Sequence, residues 1–185
     1  MSIKIYENFL DSQEIDVLVN FSKQPNNVWG SAEVEFWNQR FIHYKNIDNE
    51  SVRKILITKR KEISELIRKD FEIKETLYSD LLQIVRWIPG YELDPHADSE
   101  NPDGSEHPFS YREYASITYL NEDYSGGEIY FPEQNDFSPQ IKPGTLVFFP
   151  GTLEFLHGVK EVTQGVRYTI ASFFTRDRTR SDGEV

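Results

Sequence analysis

The stretch Gly165-Val166-Arg167-Tyr168-Thr169-Ile170-Ala171-Ser172-Phe173-Phe174 repeats with period two. Successive side chains of a strand point to opposite faces, so Arg167, Thr169, Ala171 and Phe173 share one face, and Val166, Tyr168, Ile170 and Phe174 share the other. Neither face has the polar run of a solvated surface. The segment reads as a strand buried on both sides, and its guanidinium needs an anionic partner. Upstream the texture is similar. Residues 81–87, 114–120, 128–131 and 145–149 are short β-like runs, separated by turn signals such as Pro89-Gly90, residues 121–127, Pro143-Gly144 and Gln164-Gly165. Such spacing predicts a sandwich, barrel or jelly roll, and an aromatic share of 14% agrees with a β-rich core.

Residues 1–80 read differently, as mostly helical. Asp11 and Glu14 have the spacing of a capping pair ahead of Ile15, Leu18, Val19 and Phe21. A second helix is predicted over residues 51–69, with Val52, Ile55, Leu56, Ile63, Leu66 and Ile67 on one face. Its other face holds Arg53, Lys54, Lys59, Arg60, Lys61, Arg68 and Lys69, read as solvated. Residues 40–44 form a strand-like run containing His43, read as structural. No linker separates the halves, so residues 1–185 are expected to be a single domain. Residues 1–80 form its support layer, residues 81–175 its core, and residues 176–185 a charged, frayed tail.

Composition narrows the chemistry. The 185 residues include no cysteine, which removes disulfides, thiolate metal sites and cysteine nucleophiles, and only four histidines. Net charge is −11, and residues 81–185 hold eight basic against seventeen acidic side chains. That half offers no nucleic-acid face. No apolar run is long enough for a membrane span and no signal-peptide core opens the chain, so a cytoplasmic location is expected, without membrane or nucleic-acid partners.

The candidate chemistry lies in three pieces. In Asp94-Pro95-His96-Ala97-Asp98, a strand would present His96 and Asp98 side by side. His157, in Phe155-Leu156-His157-Gly158, taken alone reads as a histidine bonded to a backbone carbonyl. Arg167, taken alone, reads as half of a structural ion pair. Between Trp87 and Ile141, however, Arg112 is the one basic residue, so a buried cation in this half stands out. Together, two histidines and a carboxylate can hold a metal on one face, leaving positions for a bidentate 2-oxo acid and O₂, a donor set that selects Fe(II). Arg167 could then clamp the far carboxylate of that acid.

From about residue 81 to 174 the chain resembles the prolyl 4-hydroxylase branch of the Fe(II)/2-oxoglutarate-dependent dioxygenases. The likeness is carried by Leu82-Gln83-Ile84-Val85-Arg86-Trp87, His96-Ala97-Asp98, Tyr119-Leu120-Asn121, Gly126-Gly127-Glu128, Phe131-Pro132, Pro143-Gly144, His157-Gly158 and Arg167, in matching order and spacing. Glu7-Asn8-Phe9-Leu10 leading into a helix fits as well. The resemblance implies a mainly β fold with N-terminal helices (α+β), a double-stranded β-helix or jelly-roll core backed by helices. It implies iron on His96, Asp98 and His157, and 2-oxoglutarate on Arg167 and the Tyr119 hydroxyl. Trp87 stands where many relatives have a cosubstrate-binding tyrosine. Arg112 matches a position near the substrate entrance.

The implied reaction converts 2-oxoglutarate and O₂ to succinate and CO₂ while hydroxylating a C–H bond, with ascorbate in support. Peptidyl proline is the leading substrate, and a free amino acid or other small molecule the alternative. A non-catalytic jelly-roll binding module sits poorly with an intact triad and cation. A serine hydrolase lacks its Gly-x-Ser-x-Gly elbow. Residues 29–37 and the polar segment 99–109, with His107 read as a loop histidine, are candidate lids.

Overall fold

A computed structural model describes residues 2–30 and 35–183. Eleven strands and two α-helices follow the order β1 (Lys4–Tyr6), α1 (Ser12–Ser22), β2 (Phe41–His43), α2 (Glu50–Asp70), β3 (Tyr78–Trp87), β4 (Leu93–His96), β5 (Tyr114–Tyr119), β6 (Tyr124–Gly126), β7 (Ile129–Tyr130), β8 (Leu146–Pro150), β9 (His157–Val159), β10 (Val162–Gly165) and β11 (Arg167–Thr175). A six-stranded antiparallel sheet has the order β1-β8-β5-β11-β3-β2. A three-stranded sheet β4-β9-β7 and a pair β10-β6 complete the architecture. From β3 onward the chain alternates between the large sheet and the small ones, the path of a double-stranded β-helix.

The period-two pattern of residues 165–174 becomes β11, which pairs with β3 on one side and β5 on the other. Its two faces meet different neighbours. Tyr168 and Ile170, with Leu82 and Ile84 of β3, pack against Leu18 and Phe21 of α1 and Val52 and Leu56 of α2. The opposite face looks toward the small sheets: Val85 and Trp87 meet Val159 and Val162, while Tyr119, Val147 and Phe149 meet Ile129 and Phe131. Both faces are therefore covered, which explains why neither carries a polar run.

The helix starts follow their sequence signals. Asp11 caps α1 by accepting from the Glu14 amide at 2.8 Å, and Glu14 accepts from the Asp11 amide at 3.0 Å, a complete capping box. Asn49 caps α2.

Residues 1–80 hold both α-helices and also lend β1, β2 and the start of β3 to the large sheet, β2 lying in the strand-like run of residues 40–44. Short strands with little periodicity owe their conformation to their pairing partners. Three readings need correction. Arg60 is not on a solvated face. It is buried, and its Nη1 donates to Asp182 at 2.9 Å. Nor is the tail frayed through residue 183. Asp182 also meets His43 Nε2 at 3.0 Å and donates its amide to the Ser79 carbonyl, while Arg176 pairs with Glu113. Finally, β4 ends at His96, so Asp98 lies beyond the strand. Among the described residues, no helix is long and apolar enough to cross a membrane.

Candidate active site

Two histidines meet because β4 and β9 are antiparallel neighbours with His96 opposite His157. Their ring centroids are 4.5 Å apart. Asp98 arrives by another route. After β4 the chain turns, and the amides of Asp98 and Ser99 both donate to the Gly151 carbonyl at 3.0 Å, with the Ser99 hydroxyl adding a bond at 2.9 Å. Only glycine fits at 151, because a Cβ there would lie 2.5 Å from the Arg112 carbonyl and 3.3 Å from Asp98 Cβ. The turn brings Asp98 Oδ1 to 3.8 Å from His96 Nε2, and Oδ2 to 3.9 Å from His157 Nε2.

The protonation pattern suits a cation. His96 Nδ1 lies 3.0 Å from the Asp94 carbonyl and His157 Nδ1 lies 3.1 Å from the Phe155 carbonyl. Each carbonyl can only accept, so each Nδ1 carries a proton and each Nε2 faces Asp98. His157, flanked by the Phe149 and Phe131 rings, has its pKa pushed down to about 4. Burial is the main cause; His96 adds to it and Asp98 opposes it. The imidazole is thus neutral at ordinary pH. Asp98 Oδ2 is buried without a hydrogen-bond partner. Three donors within 4.8 Å of one another, one of them an orphaned carboxylate oxygen, fit a divalent metal of the Fe(II) type.

Arg167 begins β11 opposite Trp87 of β3. It is 1% exposed, its Nε and Nη2 have no partner, and among the described residues no carboxylate forms an ion pair with it. The anionic partner that the sequence requires is therefore not a side chain among the described residues. The guanidinium lies 4.9 Å from the Tyr119 ring and 5.3 Å from the Trp87 ring. Tyr119 has a buried, unpartnered hydroxyl whose pKa is raised by burial, with Arg167 opposing. Tyr124 of β6 shows the same balance against Arg167, and the two side chains adjoin over Gly127. A Cβ at 127 would sit 3.0 Å from Arg167 Cδ and 3.6 Å from Tyr124 Cε2. Sequence reading passed over Tyr124; it is brought there by β6–β10 pairing, which leaves no local signal.

A cavity of about 510 Å³ joins Arg167 and Trp87 to the His96, Asp98, His157 cluster. Its lining runs from Arg167 and the His96, Asp98, His157 cluster to Trp37, Phe41, Phe109 and Phe173. Arg167 is 1% exposed and Phe109 is 40% exposed, which orders the wall from closed end to mouth. Arg112 reaches this wall with its guanidinium between the Phe109 and Phe173 rings (3.9 and 4.0 Å) and its Nε 2.6 Å from Asp80. His107 also lines it but stands outside the metal-type cluster. Segment 99–109 is internally tied, with Asn101 donating to the Ser105 hydroxyl and Asp103 accepting from the Ser105 amide. Of the other candidate lid, residues 31–34 lie outside the described residues, while Trp37 is part of the wall.

The sequence model of the family described as "2OG-Fe(II) oxygenase superfamily" matches residues 82–175. No curated protein matches the sequence. Among solved structures, the chain is similar to the viral collagen prolyl hydroxylase of Paramecium Bursaria Chlorella virus-1, at 19% identity and TM-score 0.71, covering 95% of this chain and 96% of that one. It is similar to a Pseudomonas putida prolyl-4-hydroxylase, at 18% identity and TM-score 0.67, covering 95% and 92%. A third is a Trichoplax adhaerens prolyl hydroxylase in complex with a hypoxia inducible factor oxygen degradation domain peptide fragment, at 17% identity and TM-score 0.72, covering 96% and 85%. At such identities the likeness carries the fold.

Proposed function

The chain belongs to the 2OG-Fe(II) oxygenase superfamily and is a 2-oxoglutarate-dependent dioxygenase using Fe(II) and O₂, and from that premise we propose that it hydroxylates peptidyl proline. Residues 1–185 act as one catalytic unit in this reading. His96, Asp98 and His157 hold the iron. Fe(II), when bound, supplies the O₂ chemistry: one oxygen atom enters succinate as 2-oxoglutarate loses CO₂, and the other enters the substrate C–H bond. The protein positions the reactants and keeps the closed end of the cavity dry. Arg167 forms a forked pair with the C5 carboxylate of 2-oxoglutarate, and the Tyr119 and Tyr124 hydroxyls donate to the same group. Trp87 presents its ring to the guanidinium and limits its rotation. Ascorbate supports repeated turnover.

One observation carries the substrate reading: the outer cavity wall is aromatic, and its cation is already neutralised. Trp37, Phe41, Phe109 and Phe173 offer apolar faces, and Asp80 sits 2.6 Å from Arg112. An Arg112–Asp80 pair donates hydrogen bonds without the net charge that would favour a free carboxylate, so a backbone carbonyl is the better acceptor. A prolyl residue brings a saturated ring and no N–H, and therefore places no unpaired donor against these faces. The similar prolyl hydroxylases, one of them solved with a peptide, agree with this reading.

The test is mass spectrometry of a proline-rich peptide panel and of free amino acids after incubation with Fe(II), 2-oxoglutarate and ascorbate. A gain of one oxygen on peptidyl proline is expected. Oxygen on a free amino acid alone would replace this substrate by the small-molecule alternative. Asp98→Ala and His157→Ala should each abolish succinate formation, and full turnover by either would overturn the ligand assignment.

A further inference from the structure

A second buried cation without a carboxylate lies outside the site just described. Arg40 is 7% exposed, its Nε and Nη1 have no hydrogen-bond partner, and it forms no ion pair among the described residues. Aromatic faces surround it instead. Its Cζ lies 3.8 Å from the Phe36 ring centroid, 3.3 Å from that of Tyr91 and 5.8 Å from that of Trp87. Burial pulls its pKa below the ordinary arginine value, with Tyr91 opposing.

Its backbone place is equally particular. Gly30 donates to the Phe41 carbonyl and Gln39 donates to the Gly30 carbonyl, both at 2.7 Å, so Arg40 sits where residues 39–41 close on Gly30. Gln39 beside it has φ 57°, a left-handed conformation uncommon for a residue with a Cβ. The Arg40 carbonyl accepts from the Arg86 amide at 2.8 Å, fixing the closure to β3. Trp37 and Phe41, three residues before and one after, are the loop side chains that line the cavity. Trp37 and Phe36 each meet Trp87 edge-on, at 6.1 and 5.9 Å.

We infer that Arg40 is a positioning residue for substrate: its guanidinium, held between Phe36 of the loop and Tyr91 of the β3–β4 turn, keeps Trp37 and Phe41 facing the cavity. A buried guanidinium with unsatisfied nitrogens is tolerated only while aromatic faces stay on it. Any swing of the 35–41 segment away from Tyr91 removes those faces, so the cation resists opening of the wall. Arg40 is not itself among the residues lining the cavity, and acts through Trp37 and Phe41.

This inference rests on the substrate reading above for its kinetic arm only. Arg40→Met keeps a long apolar side chain and removes the charge, whereas Arg40→Lys keeps the charge. The Michaelis constant for the prolyl peptide should rise about tenfold in Arg40→Met, the order expected of a desolvated cation–π contact, and less in Arg40→Lys. The 2-oxoglutarate Michaelis constant should stay unchanged. A parallel rise in both constants would mean general disruption and would overturn the inference, as would no change in either. The second arm needs no substrate. In a Trp29→Phe background, where Trp87 is buried and Trp37 is the more exposed indole, Arg40→Met should raise acrylamide quenching of tryptophan fluorescence. Unchanged quenching refutes the inference even if no prolyl peptide is turned over. If Arg40→Met fails to fold, Arg40→Gln, which also removes the charge, decides both arms in the same directions.

Discussion

Replacing Arg167 by methionine should move stability in opposite directions with and without cosubstrate. Without it, the native chain buries a guanidinium at 1% exposure with Nε and Nη2 unpartnered. Each unsatisfied buried donor costs about 1–3 kcal/mol, and replacing even a paired buried ion by apolar side chains of similar volume is often neutral or stabilises by about 1–4 kcal/mol. Methionine retains much of the stem that packs over Gly127. A gain of about 2 kcal/mol is expected, or roughly 4–8 °C in Tm for a chain of this length. With Fe(II) and 2-oxoglutarate under nitrogen, the order should reverse. The native protein gains about 2.7 kcal/mol when ligand is at a hundred times its dissociation constant. The variant gains almost nothing, because losing a buried charge-assisted pair costs about 2–5 kcal/mol of affinity. Thermal melts of both proteins, with and without ligand, make the measurement. A ligand-free variant less stable than native would mean that the guanidinium is satisfied within the protein. A native-sized ligand shift in the variant would remove the clamp.

Three further outcomes are expected. Tyr124→Phe removes one hydroxyl beside Arg167 and should raise the 2-oxoglutarate requirement about fivefold, the order of one net hydrogen bond, with kcat unchanged; steady-state succinate assays decide it. In the metal-free protein, burial holds the folded pKa of His157 at about 4 against an ordinary value of 6.5, so between these values the unfolded chain binds the extra proton and the folded one does not. Stability should therefore fall as pH is lowered through that window, by up to about 1.4 kcal/mol per pH unit, and His157→Gln should flatten the dependence in denaturant titrations. Asp182→Ala takes a carboxylate from buried Arg60 and from His43, and should cost on the order of 2–3 kcal/mol in urea unfolding, a loss that a frayed tail would not produce.

What the sequence discloses and what it hides divide along the range of the interaction. The alternation in residues 165–174 is local, and burial on both sides keeps it intact as β11. The Asp11–Glu14 capping box is equally local. The His96 and Asp98 spacing points to the right pair for an incomplete reason: the strand stops at His96, and the carboxylate is steered by Gly151, 53 residues away. Arg60 looks like a solvated helix residue because its helical period says nothing of Asp182, 122 positions on. Tyr124 carries no mark at all, since its approach to Arg167 depends on β6 and β10 pairing. Strand β1 is three residues long and takes its shape from β8.

The register of β4 against β9 bears on how this centre could be lost. Leu93 pairs with Val159 and His96 with His157, so three steps along β4 match two along β9, with Asp94 and Pro95 in the irregular stretch. Deleting either residue would restore regular pairing and remove the local bend and twist that aim the imidazole at 96 toward Asp98, while leaving every candidate ligand in the sequence. A homologue shortened there could keep His, Asp and His yet bind no metal. Counting motif residues alone would misclassify it, whereas the length of the segment between Leu93 and His96 would not.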